Sequence, residues 1–249
     1  MSEDLANLLS AVFASAPNIE IIVQQRVDTS ISGVAAATEA GLYVEYVLGG
    51  LKSLLRDGVT PARLLMGLNG RLVASRNSVQ EFWYKWEDEK LVTNARASVP
   101  ALGKRERQIL LSGTTKLQKV AVYEWVQDAQ GKIFFLDVKL MPSAFLKNKR
   151  SIVNGIDSGI LHTLNIPIQG KVIDGAQPQL RGVFLLARPL HEFVDLVISK
   201  ATGVVCRLGG LLSHLIVYAS KANIPCVISP VHYERLKKTE HCDLLVANV

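Results

Sequence analysis

The sequence predicts an α/β (α+β) protein in two parts, and three observations carry that reading. Short apolar runs of strand character alternate with helix-spaced stretches along most of the chain. The pattern weakens once, between Pro142 and Ile166, where polar residues and the Asn154-Gly155 pair suggest a solvated connection. Beyond that point strand and helix signals follow closely enough to form a compact α/β unit. These observations divide the chain into a first domain over 1–145, a linker over 146–165 and a second domain over 166–249.

In the first part, Leu5, Leu8, Leu9, Val12 and Phe13 fall at helical spacing behind Ser2, a candidate cap, and Pro17-Asn18 stops that helix. Strands are expected over 19–27, 33–37 and 41–47, with a turn at Gly49-Gly50. Residues 64–74 read as a hairpin around Asn69-Gly70. Residues 101–126 have the character of a long helix. It competes with a strand over 120–126, so the change of structure falls near Leu117. A further strand over 132–140 follows a polar turn at 128–131. In the second part, strands are expected at 171–172, 183–187, 203–207, 225–229 and 243–247, with helices over 192–199 and 213–222.

Composition narrows the function classes. With 49% hydrophobic and 20% charged residues the chain folds rather than remaining disordered. A net charge of +6 suits an anionic partner such as a nucleotide, a phosphorylated metabolite or an acidic protein. Nucleic acid is disfavoured, because the basic residues are scattered. Their densest cluster, Lys147, Lys149 and Arg150, has no aromatic ladder beside it. Cys206, Cys226 and Cys242 follow no metal-ligand spacing and sit in apolar runs, which reads as buried thiols in a reducing compartment. The apolar run 8–16 follows Glu3 and Asp4, where a signal segment needs positive charge, and no run approaches a membrane span of ~20 residues. A cytoplasmic protein with no membrane partner is expected.

The chemistry concentrates in residues 203–229, GVVCRLGGLLSHLIVYASKANIPCVIS. An apolar strand runs into Gly209-Gly210, and Ser213 then caps a helix that places His214 in its first turn. Glycines permit close approach of a ligand, and a helix start favours negative charge. An imidazole nitrogen there is a competent nucleophile toward phosphorus. A histidine at a helix start is also commonly a structural hydrogen-bonding group, and the residues alone leave both readings open.

The string GGLLSHLIVYASKANIPCVIS resembles the phosphohistidine motif of the phosphoenolpyruvate synthase and pyruvate phosphate dikinase family, GG-x-x-SH-x-A-I-x-AR-x-x-G-IP-x-V. Gly209, Gly210, Ser213, His214, Ala219, Ile224, Pro225 and Val227 match. Ser220 stands at the family's arginine, Asn223 at its glycine and Leu208 at a small polar position. The resemblance implies a swivelling β/β/α phosphohistidine domain, with Gly209, Gly210, Ser213 and His214 as its catalytic segment.

The first part extends the resemblance. IIVQQRVDTSISGVAAA at 21–37 is similar to the VQ-x-MV…SGV-x-F stretch of the family's nucleotide-binding domain, which has the ATP-grasp fold. EYVLGGLKSLLRDGVTP at 45–61 is similar to E-x-x-x-GLGE-x-x-V-x-G-x-x-xP, with Lys52 in place of the second glutamate. YEWVQDAQGKIFFLDVKLMP at 123–142 resembles IEW…DGK-x-x-x-LQ-x-RP, with Asp137 and Lys139 in place of Gln and Arg. The resemblance implies that Gln24, Glu45, Glu124, Asp137 and Lys139 bind the cofactor ATP, with Glu124 and Asp137 as ligands of Mg2+. Asp137 remains a hard oxygen donor, whereas Lys139 keeps the charge of arginine without its fork. Without the resemblance, Glu124 and Lys139 read as solvated residues of a hairpin.

The family's first nucleotide-binding subdomain has no counterpart in the sequence, so 1–145 is expected to be a partial ATP-grasp-like subdomain. A separate chain supplying the missing part, or a homo-oligomer, would complete the site, and a small molecule would accept the phosphoryl group. The substitutions at Lys52, Asp137, Lys139 and Ser220 keep a second reading in play, a non-catalytic interaction protein on the same scaffold. The remaining histidines, 162, 191, 232 and 241, read as surface or structural, and Trp83, Tyr84 and Trp86 as packing.

Overall fold

A computed structural model describes residues 26–38, 41–87, 90–115, 121–140, 149–164 and 166–244. The expected helix over 3–14, most of the strand over 19–27, and Gln24 lie outside the described residues.

The first part is a six-stranded antiparallel sheet. Its strands are β1 (Thr29–Thr38), β2 (Gly41–Leu48), β3 (Ala62–Met66), β4 (Leu72–Arg76), β9 (Ala121–Asp128) and β10 (Ile133–Leu140), in the order β10-β9-β1-β2-β3-β4. Helix α1 (Lys52–Leu55) lies between β2 and β3. Two small ribbons interrupt the sheet's chain path, β5 (Val79–Gln80) with β8 (Ala97–Ser98), and β6 (Trp83–Glu87) with β7 (Lys90–Asn94). The expected hairpin around Asn69-Gly70 is β3–β4, and the expected turn at 128–131 joins β9 to β10. The long helix expected over 101–126 is corrected to α2 (Lys104–Thr115), and the strand signal wins from Ala121 onward.

The span expected to be a linker contains α3 (Lys149–Ser158), whose Ile152 and Ile156 are buried, and β11 (Leu161–His162). The second sheet then adds β12 (Ile168–Asp174), β13 (Gly182–Leu186), β14 (Ala201–Cys206), β15 (Cys226–Ile228) and β16 (His241–Leu244), in the order β11-β15-β14-β13-β12-β16. Strands β12 to β15 run parallel, with antiparallel β11 and β16 at the edges. Helices α4 (Val194–Lys200), α5 (His214–Lys221) and α6 (Pro230–Leu236) connect them.

Period-two alternation decides where each strand's side chains go. On β1 and β2, Val34, Ala36, Tyr43 and Val47 face a cluster shared with the second sheet, while Ala35, Leu42, Val44 and Tyr46 pack outward with Leu110 of α2. On β13 to β15, Phe184, Leu186, Val204, Cys206, Cys226 and Ile228 join the shared cluster, and Val183, Leu185, Val205 and Val227 pack against Tyr233 and Leu236 of α6. Ile152, Val197, Leu215, Ile216 and Ala219 bring α3, α4 and α5 into the same shared core. The two sheets are therefore joined by apolar packing. The three cysteines are free and buried, as expected, and burial pushes the Cys226 thiol up to about 12.

Candidate functional site

Residues directly opposite on antiparallel strands share a face, so the register of the first sheet defines a row across all six strands. It runs Asp137, Glu124, Val34, Glu45, Arg63, Arg76. Five of the six are charged, and the row lies on the face that carries Val34 toward the second sheet. One end is acidic, the other is basic, and Glu45 and Arg63 meet in the middle.

At the acidic end, three residues expected at the nucleotide site come together. Glu124 and Asp137 are cross-strand partners, and Lys139 is two residues further along β10, on the same face. Lys139 Nζ lies 2.7 Å from Glu124 Oε1 and 3.0 Å from Asp137 Oδ2. The hydrogen bond from Lys139 holds Asp137 below the usual carboxylate range. Burial works against the charge of Lys139, but its bonds to Glu124 and Asp137 outweigh that and raise its pKa. Two facing carboxylates fit magnesium's habit of taking one or two protein oxygens alongside substrate phosphates. Among the described residues no group of three or more candidate ligands is assembled, and Lys139 supplies the positive charge between the two.

In the middle, Glu45 is wholly buried, although the sequence placed it at the cofactor. Its carboxylate accepts hydrogen bonds from Tyr43 Oη at 2.7 Å, Arg63 Nε at 3.3 Å, Leu211 N at 2.9 Å and Leu212 N at 2.8 Å. The last two donors belong to the segment that leads into α5, so a carboxylate of the first sheet occupies amides of the phosphohistidine-type loop. Arg63 is 4% exposed and also donates through Nη2 to the carbonyl of Gly209. Neutralising a buried arginine in this way is what makes its burial tolerable.

The glycine pair is explained by this contact. Gly209 has φ +125°, which side chains other than glycine rarely adopt, and a Cβ there would meet the ring of Pro189. A Cβ on Gly210 would stand 2.5 Å from Glu45 Oε2 and 3.1 Å from Pro61 Cγ. The sequence suggested close approach of a ligand at these glycines, and the group that lies against Gly210 in this arrangement is the Glu45 carboxylate.

Ser213 holds the N-cap position of α5 with extended backbone angles, as expected, but its side chain makes no capping hydrogen bond. Its Oγ is buried without a partner. His214 opens the helix half-buried, with its ring 5.2 Å from that of His191 and 5.9 Å from that of Tyr218, both edge-on. Nδ1 of His214 is shielded and has no hydrogen-bond partner among the described residues. Burial lowers the pKa of His214. Glu124 opposes the shift, while His191, Lys139 and Arg56 reinforce it. The imidazole is therefore neutral near pH 7 and within electrostatic reach of the Glu124–Lys139 pair. Those charges belong to the first sheet and the histidine to the second.

The departures from the family pattern also have local explanations. Asn223 has φ +58°, and among the described residues it is the one non-glycine with positive φ. The bonds Ile224 N to Ala219 O and Asn223 N to Ser220 O close α5 in a Schellman turn, which requires a left-handed residue at 223. Ser220 is buried, and its Oγ donates to Ile216 O at 2.8 Å within the helix. Lys52, at the family's second glutamate, pairs with Asp57 at 2.7 Å and donates to Tyr84 Oη.

Four residues that shape the site were not foreseen. Arg63 carried a readable signal, a lone charge in the otherwise apolar strand ARLLM. His191, expected to be surface or structural, meets His214 edge-on, and its amide donates to Arg56 O at 2.9 Å across the junction. Tyr43 gave no signal although its partner Glu45 is two residues away, and Arg56 gave none because its partner His191 is distant in sequence.

Residues 181–246 match the family described as PEP-utilising enzyme, mobile domain. The match covers β13 to β16 and α4 to α6, including His214, and supports the family resemblance at the level of this domain. It gives the second unit a phosphotransfer-type character. No curated relative matches the chain. Among the described residues no helix is long and apolar enough to cross a membrane.

Proposed function

We propose that the chain is the phosphoryl-carrier component of an ATP-dependent phosphotransferase, with His214 as the residue phosphorylated. The observation that carries this reading is the half-buried position of His214 within electrostatic reach of the charged pair Glu124 and Lys139 across the junction of the two sheets. The lone pair of Nε2 would form the N–P bond as the bond from phosphorus to the leaving phosphate oxygen breaks, while Nδ1 keeps its proton. Lys139 would balance negative charge on the transferred group, and Glu124 and Asp137 would hold Mg2+ at the ATP phosphates. When bound, that ion would neutralise phosphate charge and orient the group for in-line attack. The first sheet is read as part of an ATP-grasp-like subdomain. A separate chain, or a second copy of this one, would complete the nucleotide site, and a small molecule would take the phosphoryl group from His214.

The test does not require the partner. Phosphoramidate phosphorylates reachable imidazoles directly, so the purified chain treated with it should carry an acid-labile phosphate that phosphorus NMR assigns to Nε2 and that His214→Ala removes. The same label should form from ATP and magnesium once the nucleotide site is complete. If His214 stays unmodified by phosphoramidate while other histidines react, the carrier reading fails.

A second reading, a non-catalytic protein on the same scaffold, is favoured by one feature. The amides of Leu211 and Leu212, at the entry to α5, are already taken by Glu45. Under this reading the junction is a permanent structural joint, and His214 is part of its lining.

A further inference from the structure

The basic end of the charged row points to a different site. Beside Arg63 and Arg76 opens a cleft of about 310 Å³, walled on its other side by Arg207, Gly209 and Ser229 from the second unit. Among the described residues no Asp or Glu lines it. Past Thr60 and Arg76 it continues into a recess of about 280 Å³, which adds Asn77, Arg188 and the acid Glu81. Glu81 is already paired with Arg188. Arg207 pairs with Glu234 at 3.1 Å, and Arg63 with Glu45. Arg76 is different, because its hydrogen bonds go to the carbonyls of Ile156 and Asp157 at 3.3 and 3.4 Å. Among the described residues no carboxylate pairs with Arg76, so the described lining of the cleft is positive.

We infer that this cleft binds a phosphorylated small molecule. Guanidinium groups present planar forks that match phosphate oxygens, and several around one hollow favour a phosphate ester or diphosphate over a lone carboxylate. Thr60 and Ser158, which are not buried, add neutral hydroxyl-bearing side chains to the lining. Ile160, Leu208 and Val231 give the same cleft an apolar wall for the body of the molecule. The volume falls in the range of small-molecule pockets and is too small for a macromolecular surface. His214, Glu124 and Lys139 are not among the lining residues, so the site is separate from the proposed phosphohistidine centre and does not depend on it. Because its walls come from both sheets, the bound molecule would tie the two units together.

Inorganic pyrophosphate is a suitable probe, titrated by calorimetry into the full chain without magnesium, with a parallel thermal melt. Saturable binding and a raised Tm are expected, since a ligand that binds only the folded chain stabilises it by mass action. Loss of one charge-assisted contact in Arg76→Gln or Arg207→Gln should weaken binding about tenfold. Affinity should be unchanged in His214→Ala and Lys139→Ala. Absence of saturable binding, or undiminished affinity in both arginine variants, overturns the inference. So does loss of binding in Lys139→Ala, which would move the pyrophosphate to the β9–β10 hairpin.

Discussion

The carboxylate of Glu45, on the second strand of the first sheet, accepts a hydrogen bond at 2.8 Å from the backbone amide of Leu212, 167 residues further along the chain. With the parallel bond from Leu211 and the guanidinium of Arg63, it closes the junction between the two sheets. Glu45→Ala should therefore lower stability by about 3–5 kcal/mol, because Arg63 is left as a buried, uncompensated charge. Glu45→Gln keeps the shape but turns an amide NH2 toward at least one donor, and a smaller loss is expected. Urea denaturation of the two variants beside the parent gives the comparison. Equal stability of all three would mean that Glu45 does not hold the junction in solution.

Charges of the first sheet should be visible in the titration of a histidine on the second. Glu124 raises the pKa of His214 and Lys139 lowers it. Glu124→Gln should therefore shift the His214 midpoint downward and Lys139→Gln upward, since each removes one of these charges. Imidazole proton resonances followed by NMR provide the readout. Midpoints that ignore both substitutions would show that the two sheets do not hold this arrangement in solution.

Stability should fall as the solution is acidified below neutrality. Burial holds His162, His214 and His232 below the ordinary value of 6.5. In the unfolded chain these imidazoles take up protons near pH 6.5, while in the folded chain they resist until lower pH. The unfolded state then binds more protons, so the stability present above about pH 6.5 is lost progressively as pH falls toward the folded values. Denaturation midpoints at pH 7.5 and pH 5.5 measure the loss, and His214→Gln should reduce it.

The left-handed turn at Asn223 offers a test of backbone strain alone. Asn223→Ala should cost about 1 kcal/mol, because alanine tolerates the left-handed region at φ +58° less well than asparagine does. Asn223→Gly should leave stability within about 0.5 kcal/mol of the parent, since relief of strain and extra freedom of the unfolded chain oppose one another. Thermal melts of both variants separate these outcomes.

Local patterns in the sequence were enough to place the strands and helices around the site. Residues 203–229 read directly as strand, glycine pair, helix and strand, and β9–β10 followed from its polar turn. The helix across 149–158 was hidden by Asn154-Gly155, which looks like a turn. Gly155 is there for another reason, because a Cβ would press within 2.9 Å of the carbonyl of Ile160. Helix α6 was missed although Ser229-Pro230 announces it, with Ser229 Oγ accepting from His232 N at 3.1 Å. The grouping of Glu124, Asp137 and Lys139 was reachable through the family motif. The partnership of Glu45 with Leu211 and Leu212 was not, since no local pattern encodes a contact across that span. The arginine cleft was equally silent, because its residues come from five separate stretches of the chain.

The apolar cluster common to both sheets bears on how a phosphoryl group could leave His214. A carrier that travels must wet whatever it rested upon. Here departure would expose Leu211 and Leu212, strip four hydrogen bonds from Glu45 down to two, and leave Arg63 without its bond to Gly209. Such a step resembles local melting more than the swing of a free arm. An acceptor must then either enter beside the histidine while the sheets stay together, or offer the loop at 209–212 a substitute acid and an apolar seat in exchange for those it abandons.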